Sequence, residues 1–228
     1  MISFVRRLAA AGAVTLGLLG ASAAGAAPTG VQLVFEGGDL KSLAPGATIS
    51  YRFARDTSDT ALAPSFQDDV RVVVTAEDGG AKTAKVDLFS GARAQSFGSL
   101  SVDGNPVIVV LLEQDVREMQ KVLGGSPYYI RNRIRDAISG GGQVEPARLD
   151  VDGKTVDGWK LTLKPFAHDA RRDQLKGFAD RFYELTFSDA VPGGLHSLKA
   201  VTPRDGAQAP LLTESLVFTG VTNAEAGK

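Results

Sequence analysis

The chain predicts a mainly β protein with a helical insertion: a curled antiparallel sheet, a half-barrel or β-spiral, covered or plugged by an αα-hairpin. Three observations carry this class. Apolar and polar residues alternate in short runs on both sides of the middle, a central stretch at about 106–139 changes to helical spacing, and turn residues separate the runs.

In the first half Val31, Leu33 and Phe35 share one face, as do Ile49, Tyr51 and Phe53, then Val70, Val72 and Val74, then Ala84, Val86 and Leu88. Largely polar residues stand between them, the pattern of strands with one dry and one wet side. Asp78-Gly79-Gly80 is a hairpin signal that makes the third and fourth runs antiparallel. The second half repeats the pattern in Trp159, Leu161 and Leu163 and in Tyr183, Leu185 and Phe187. Two more runs, Leu195 to Thr202 and Leu211 to Gly220, join through Pro203 and Asp205-Gly206. No fixed period recurs, which argues against a propeller or solenoid.

The middle has another logic. Asn105 is placed to cap a helix with Pro106 at its first position, and Ile108, Leu111, Leu112, Val116, Met119, Val122 and Leu123 follow at three and four. Val107, Val109 and Val110 are β-branched and keep a strand over 107–112 open as the alternative. Gly124-Gly125 ends the element either way. Ser126 and Pro127 open a second helix, which runs to Gly140–Gly142 and carries an apolar stripe of Ile130, Ile134, Ala137 and Ile138. Arg131, Arg135, Tyr128 and Asn132 flank that stripe, with Arg133 and Asp136 further round. Six or more strands with one apolar face need a cover, and the helical hairpin supplies it; a sheet of that size is expected to curl.

Arg6 and Arg7, the uncharged run Leu8 to Leu19 and the small residues up to Ala27 have the order of a secretory signal peptide, assigned to residues 1–26, with a single domain over 27–228. A retained anchor is the rival reading, but a span needs about 20 strongly apolar residues. The chain has no cysteine, hence no lipoprotein attachment point, disulfide or thiol chemistry. The expected location is the periplasm, without a membrane span after cleavage. Losing two arginines and no acids takes the formal charge from -1 to -3, a balance that argues against nucleic-acid binding.

The candidate sites each have a plain structural reading beside the functional one. Arg131, Arg133 and Arg135 offer an anion site or a solvated face, and Tyr128 and Tyr129 a stacking surface or a core edge. His168 with Asp169 and Asp173 lacks metal-ligand spacing, and His196 falls in phase with Leu198 and Ala200. Asp150-Val151-Asp152-Gly153 misses the calcium-loop pattern and reads as a hairpin turn. No nucleophile motif is present, so no catalytic residue, metal or cofactor is expected. Glu214 breaks its strand: it shares a face with Leu212, Leu216 and Phe218. It then either pairs inside with an arginine, from the helical hairpin or Arg181, or sits at a rim.

The order of strands, helical pair and further strands behind a bacterial signal peptide resembles curled-sheet periplasmic proteins typified by the lipoprotein carriers and the β-spiral envelope-integrity proteins of alphaproteobacteria; "SDAVPGG" at Ser188–Gly194 is distinctive but assigns no family. The resemblance implies a concave apolar surface able to hold an acyl chain or a partner segment; the disulfide of the envelope-integrity group has no counterpart here. The expectation is therefore a non-enzymatic periplasmic protein that holds a lipid, acyl chain or other apolar ligand in a concave β cleft. Tyr128, Tyr129, Ile130, Arg131, Ile134, Arg135, Trp159, Tyr183 and Glu214 are expected to line it. The alternative is an envelope-integrity scaffold or protein-interaction module whose core is filled by its own helix.

Overall fold

A computed structural model describes residues 26–38, 40–60, 62–76, 79–204, 206 and 209–223; the expected signal peptide, save Ala26, and the turn residues Asp78 and Asp205 lie outside them. Among the described residues, nine strands form one open antiparallel sheet. They are β1 (Thr48–Thr57), β2 (Phe66–Ala76), β3 (Lys82–Leu88), β4 (Gln95–Leu100), β5 (Gln143–Val151), β6 (Lys154–Leu163), β7 (Phe182–Phe187), β8 (Leu195–Thr202) and β9 (Leu212–Thr222). Their order is β4-β3-β2-β1-β9-β8-β7-β6-β5, two meanders fused where β1 meets β9. Between β4 and β5 lie α1 (Pro106–Leu123) and α2 (Pro127–Asp136), followed by a π-helical turn at Ala137–Gly141.

That topology dictates the role of the helices. β4 and β5 are opposite edges of the sheet, so the helical hairpin must carry the chain across its whole width. It crosses the apolar face. Val70, Val72, Val74, Ala84, Val86, Leu88, Leu161 and Leu185 are fully buried, and they share one core with Val107, Ile108, Val116 and Met119 of α1 and Ile130, Ile134 and Ile138 of the second helical segment. Burying such side chains contributes roughly 1.5–3 kcal/mol each, and this face provides the fold's main driving force.

The local signals account for the helix ends. The Asn105 side chain accepts from the Val107 N–H at 3.3 Å, with Pro106 behind it, and α1 is helical from Pro106 onward. The strand alternative over 107–112 is excluded: these residues lie in α1, with Val107, Ile108, Val110, Leu111 and Leu112 buried and Val109 exposed. Gly124 and Gly125, at φ of 74° and 75°, end it.

Four details differ from the sequence reading. The run Val31–Leu33–Phe35 is not a strand but leads into a π-helical turn, Gln32–Glu36, in which the adjacent Leu33 and Val34 are buried and Phe35 faces out. Alternation over so few residues fits either geometry, and burial of two neighbours decides it. β4 and β5, unread in the sequence, complete the sheet. A register shift between Thr186 and Phe187 pairs Phe187 with Leu195 and Thr186 with Ser197. This bulge frees His196 from the phase of Leu198, and its ring meets Thr186 Oγ1 and, through Nε2, the Asp150 carbonyl oxygen, each at 3.0 Å. In α2, finally, Ser126 occupies the N-cap position without a side-chain capping bond.

Candidate functional site

Four charged residues lie in phase with the apolar face, and the fold brings them together under α1. Arg55 follows Ile49, Tyr51 and Phe53 on β1 and is the register partner of Glu214 on β9. Arg181 precedes β7 in the phase of Tyr183. Asp115 stands in the apolar stripe of α1. Arg181 donates through Nε and Nη2 to the two Asp115 oxygens at 3.0 and 2.8 Å, through Nη2 to Glu214 Oε2 at 2.7 Å and through Nη1 to Thr202 Oγ1 at 2.7 Å. Arg55 donates to Glu214 Oε1 at 2.9 Å through Nε and comes within 3.7 Å of Glu118 on α1. Tyr183 donates its hydroxyl to Asp115 Oδ2.

The cluster is buried, with Arg181 wholly inaccessible. Burial raises the Asp115 carboxyl above its ordinary range, the Arg181 guanidinium draws it back, and Glu214 raises it further. Burial and the Asp115 charge both raise the Tyr183 phenol, which keeps it a donor. Two guanidinium groups face two carboxylates, and the hydrogen bonds are shared among β1, β9, the β7–β8 pair and α1. The remaining space, about 20 Å³, is bounded by Phe53, Leu111, Leu198 and the cluster itself; that is room for about one water molecule. No acyl chain fits there.

Open space lies elsewhere. A groove of about 780 Å³ runs between the β5–β6 hairpin, the Ser188–Gly194 turn and the Leu33–Gly38 segment, with Pro146, Arg148, Trp159 and Phe187 in its wall. Register places Pro146, Trp159 and Phe187 side by side across β5, β6 and β7. The turn's glycines explain the "VPGG" signature. Gly193 and Gly38 have φ of 77° and 73°, and a Cβ on Gly38 would stand 2.1 Å from the Gly193 oxygen. Asn105 Nδ2 donates to that oxygen at 2.9 Å and meets Tyr51 Oη at 2.7 Å, which ties the turn to the start of α1.

The nine residues expected to line one cleft are therefore distributed over four places. Tyr183 and Glu214 are in the sealed cluster and Trp159 in the groove. Ile130 and Ile134 are core contacts of α2. The others lie on the outer side of α2: Tyr128 is 71% exposed, Arg131 forms a two-bond pair with Glu113 on α1 at 2.8 and 2.6 Å, and Arg135 borders a small apolar hollow with Phe35 and Val109. The Arg131 hydrogen bonds hold Glu113 below the usual carboxylate range. Tyr129 donates its hydroxyl to Asp169 and lies beneath the guanidinium groups of Arg133 and Arg171, so it docks α2 on the loop after β6. Asp169 Oδ1 also accepts from the Arg171 amide at 2.7 Å; among the described residues no group of three or more His, Asp or Glu gathers in metal-binding geometry.

Sequence reasoning found Glu214 and the Arg181 option and missed Arg55 and Asp115. The signal was available: each is a charge at an apolar position of its element's own period. The groove was not legible, because its walls come from three segments distant in the chain.

Among the described residues no helix is long and apolar enough to cross a membrane. No protein-family model and no curated protein matches the chain. Solved structures similar to it include the Pseudomonas aeruginosa MucA/MucB complex (14% identity, TM-score 0.36, covering 81% of this chain and 54% of that one). Others are the Mycobacterium tuberculosis lipoprotein LppX (10%, 0.32, 75% and 84%) and LprF from Mycobacterium bovis (12%, 0.35, 88% and 97%). The chain spans a little over half the length of the MucB chains it matches.

Proposed function

We propose that the chain is a non-enzymatic periplasmic protein-interaction module with a self-filled core, which engages a segment of a partner protein at the Trp159 groove. The observation that carries this reading is the closure of the inner face beneath α1, which leaves the Trp159 groove, at the β5–β6 end of the same face, open. α1 and the Arg181–Asp115–Glu214–Arg55 cluster occupy the position an interior ligand would need, and about 20 Å³ is left. The groove is an open recess of about 780 Å³ with an aromatic wall, bordered by the sheet on one side.

A lipid or acyl chain is the second reading, favoured by the groove's volume and by Trp159, Phe187 and Leu33 in its lining. One experiment separates the two. A photo-reactive residue in place of Trp159, in protein expressed to the periplasm, is expected to trap one discrete protein adduct after illumination, while delipidated protein takes up a fluorescent fatty acid without saturation. Saturable one-to-one uptake of the fatty acid, with no protein adduct, overturns the partner reading in favour of the lipid one.

A further inference from the structure

β5 is an edge of the sheet: among the described residues β6 pairs with one of its sides and no strand with the other. Its hydrogen-bonding phase follows from the turn. Val151 and Lys154 are register partners around Asp152-Gly153, whose φ values are 51° and 74°. This is type I′ geometry, in which the flanking pair bond each other. Ladder bonds alternate along an antiparallel pair, so Gln143, Glu145, Ala147, Leu149 and Val151 turn their backbone groups to β6. Val144, Pro146, Arg148 and Asp150 turn theirs outward.

Two independent details agree with this phase. Pro146, which has no N–H, falls in the outward set, where it removes no ladder bond. The Asp150 carbonyl oxygen, also outward, is the one met by His196 Nε2. Among the described residues, the outward groups of Val144, Pro146 and Arg148 have no backbone partner. The opposite edge, β4, has six residues, contains Gly98 and shifts register against β3; β5 carries its own guard in Pro146 and its charges, but Pro146 withholds one outward N–H and leaves those of Val144 and Arg148 as donors. β5 keeps nine residues in unbroken register.

The same outward residues adjoin the groove. Opposite residues of an antiparallel pair point to one face, and Val144, Pro146 and Arg148 are opposite Leu161, Trp159 and Asp157. A strand laid along β5 would thus set the side chain opposite Pro146 on the same face as Trp159, with Pro146 between them at the rim of the groove. The side chain opposite Arg148 would stand within reach of a guanidinium held only by an exposed pair with Asp157, 70% and 86% accessible. Such a pair holds its partner weakly.

The geometry points to a β-augmentation site: an extended segment of a partner protein adds to the free edge of β5, with apolar side chains opposite Val144 and Pro146 and an acid opposite Arg148. The inference rests on the partner-binding reading of the groove and specifies how the segment is held, with backbone bonds supplying affinity and alternate side chains specificity.

The test uses the acetylated, amidated peptide TDTVTVT, which presents Asp, Val and Val at alternate positions in antiparallel register. In amide hydrogen exchange by NMR, the Val144 and Arg148 amides are expected to exchange rapidly in the free protein and to slow at least about tenfold at saturating peptide. Ala147 and Leu149 stay slow throughout. Trp159, the chain's single tryptophan, reports binding by its emission. Methylating the peptide nitrogen of either valine should abolish binding, and methylating a threonine nitrogen should leave it intact. Arg148→Pro, which removes an outward N–H and no β6 bond, should bind at least about tenfold more weakly, whereas Arg148→Ala stays within about fivefold.

An emission change without slowing of Val144 and Arg148 overturns augmentation and leaves the groove reading standing. Neither change overturns augmentation too, and the groove reading is then judged by the Trp159 cross-link alone. Wild-type affinity of Arg148→Pro also contradicts the proposal. Val144 and Arg148 amides already slow in a dimer, seen by sedimentation, would make a second copy the occupant and sink the peptide assignment.

Discussion

Arg181 reaches Asp115 on α1, Glu214 on β9 and Thr202 on β8, so one side chain holds the helix to the sheet. Replacing it by Met leaves two buried carboxylates with only Arg55 between them. Arg181→Met is expected to lose about 3–5 kcal/mol in urea unfolding, and Glu214→Gln less, about 1–3 kcal/mol, because the amide oxygen still accepts. Another buried acid yields a pH prediction. Asp68 accepts from the Asp69 and Ser90 amides and the Ser90 hydroxyl, and although burial works against it, these bonds and Arg93 hold its carboxyl below 3.8. With the folded value depressed, the unfolded chain takes the proton first. The stability Asp68 contributes is present above about pH 4 and lost as pH falls further. Asp68→Asn should therefore flatten the acid limb of the stability curve below pH 4 and leave its slope above pH 5 unchanged. At this scale the sequence was partly legible: Glu214 stood out because its strand alternates cleanly. Asp115 was hidden within a longer, wider helical stripe, and Arg55 lay one step past the last apolar residue counted on β1.

Among the elements, legibility followed burial. β1, β2, β3, β6, β7 and β9 bury one side and show the period of two, while β8 buries Ala200, Val201 and Thr202 in succession. The edge strands do not: β4 buries no residue fully and β5 only Leu149, with Pro146 and several charges along its length. An edge has one neighbour and half the packing constraint, so its composition carries little pattern. The helix caps were legible because they depend on residues adjacent in sequence. Asn105 does more than cap, since its amide also joins Tyr51 and Gly193; Asn105→Ala is expected to cost about 1–3 kcal/mol, beyond an exposed cap of the same kind. Gly38→Ala has to displace the Gly193 backbone from a positive φ, and a loss of at least about 2 kcal/mol by thermal unfolding is the expected outcome. Because Gly38 also borders the groove, this variant should alter Trp159 emission, whereas Asn105→Ala should leave it nearly unchanged.

For the whole molecule, the decisive fact is that the link between the sheet's two edges runs across its inner face. A chain that leaves at β4 and returns at β5 has no shorter apolar route, and the ion cluster fixes α1 where it crosses. The sequence stated the need for a cover without stating whether a guest shared it; that depended on volumes set by side chains from five elements and Phe89 of the loop after β3. If α1 is part of the core rather than a detachable lid, its amides and those of the central strands open together. Native-state hydrogen exchange measures this directly. The interior amides of α1, such as Val116 and Met119, should share the highest opening free energy with Tyr51 on β1 and Leu216 on β9. An α1 that exchanges several kcal/mol more easily than those strands, or that does so only when fatty acid is present, would contradict the self-filled core.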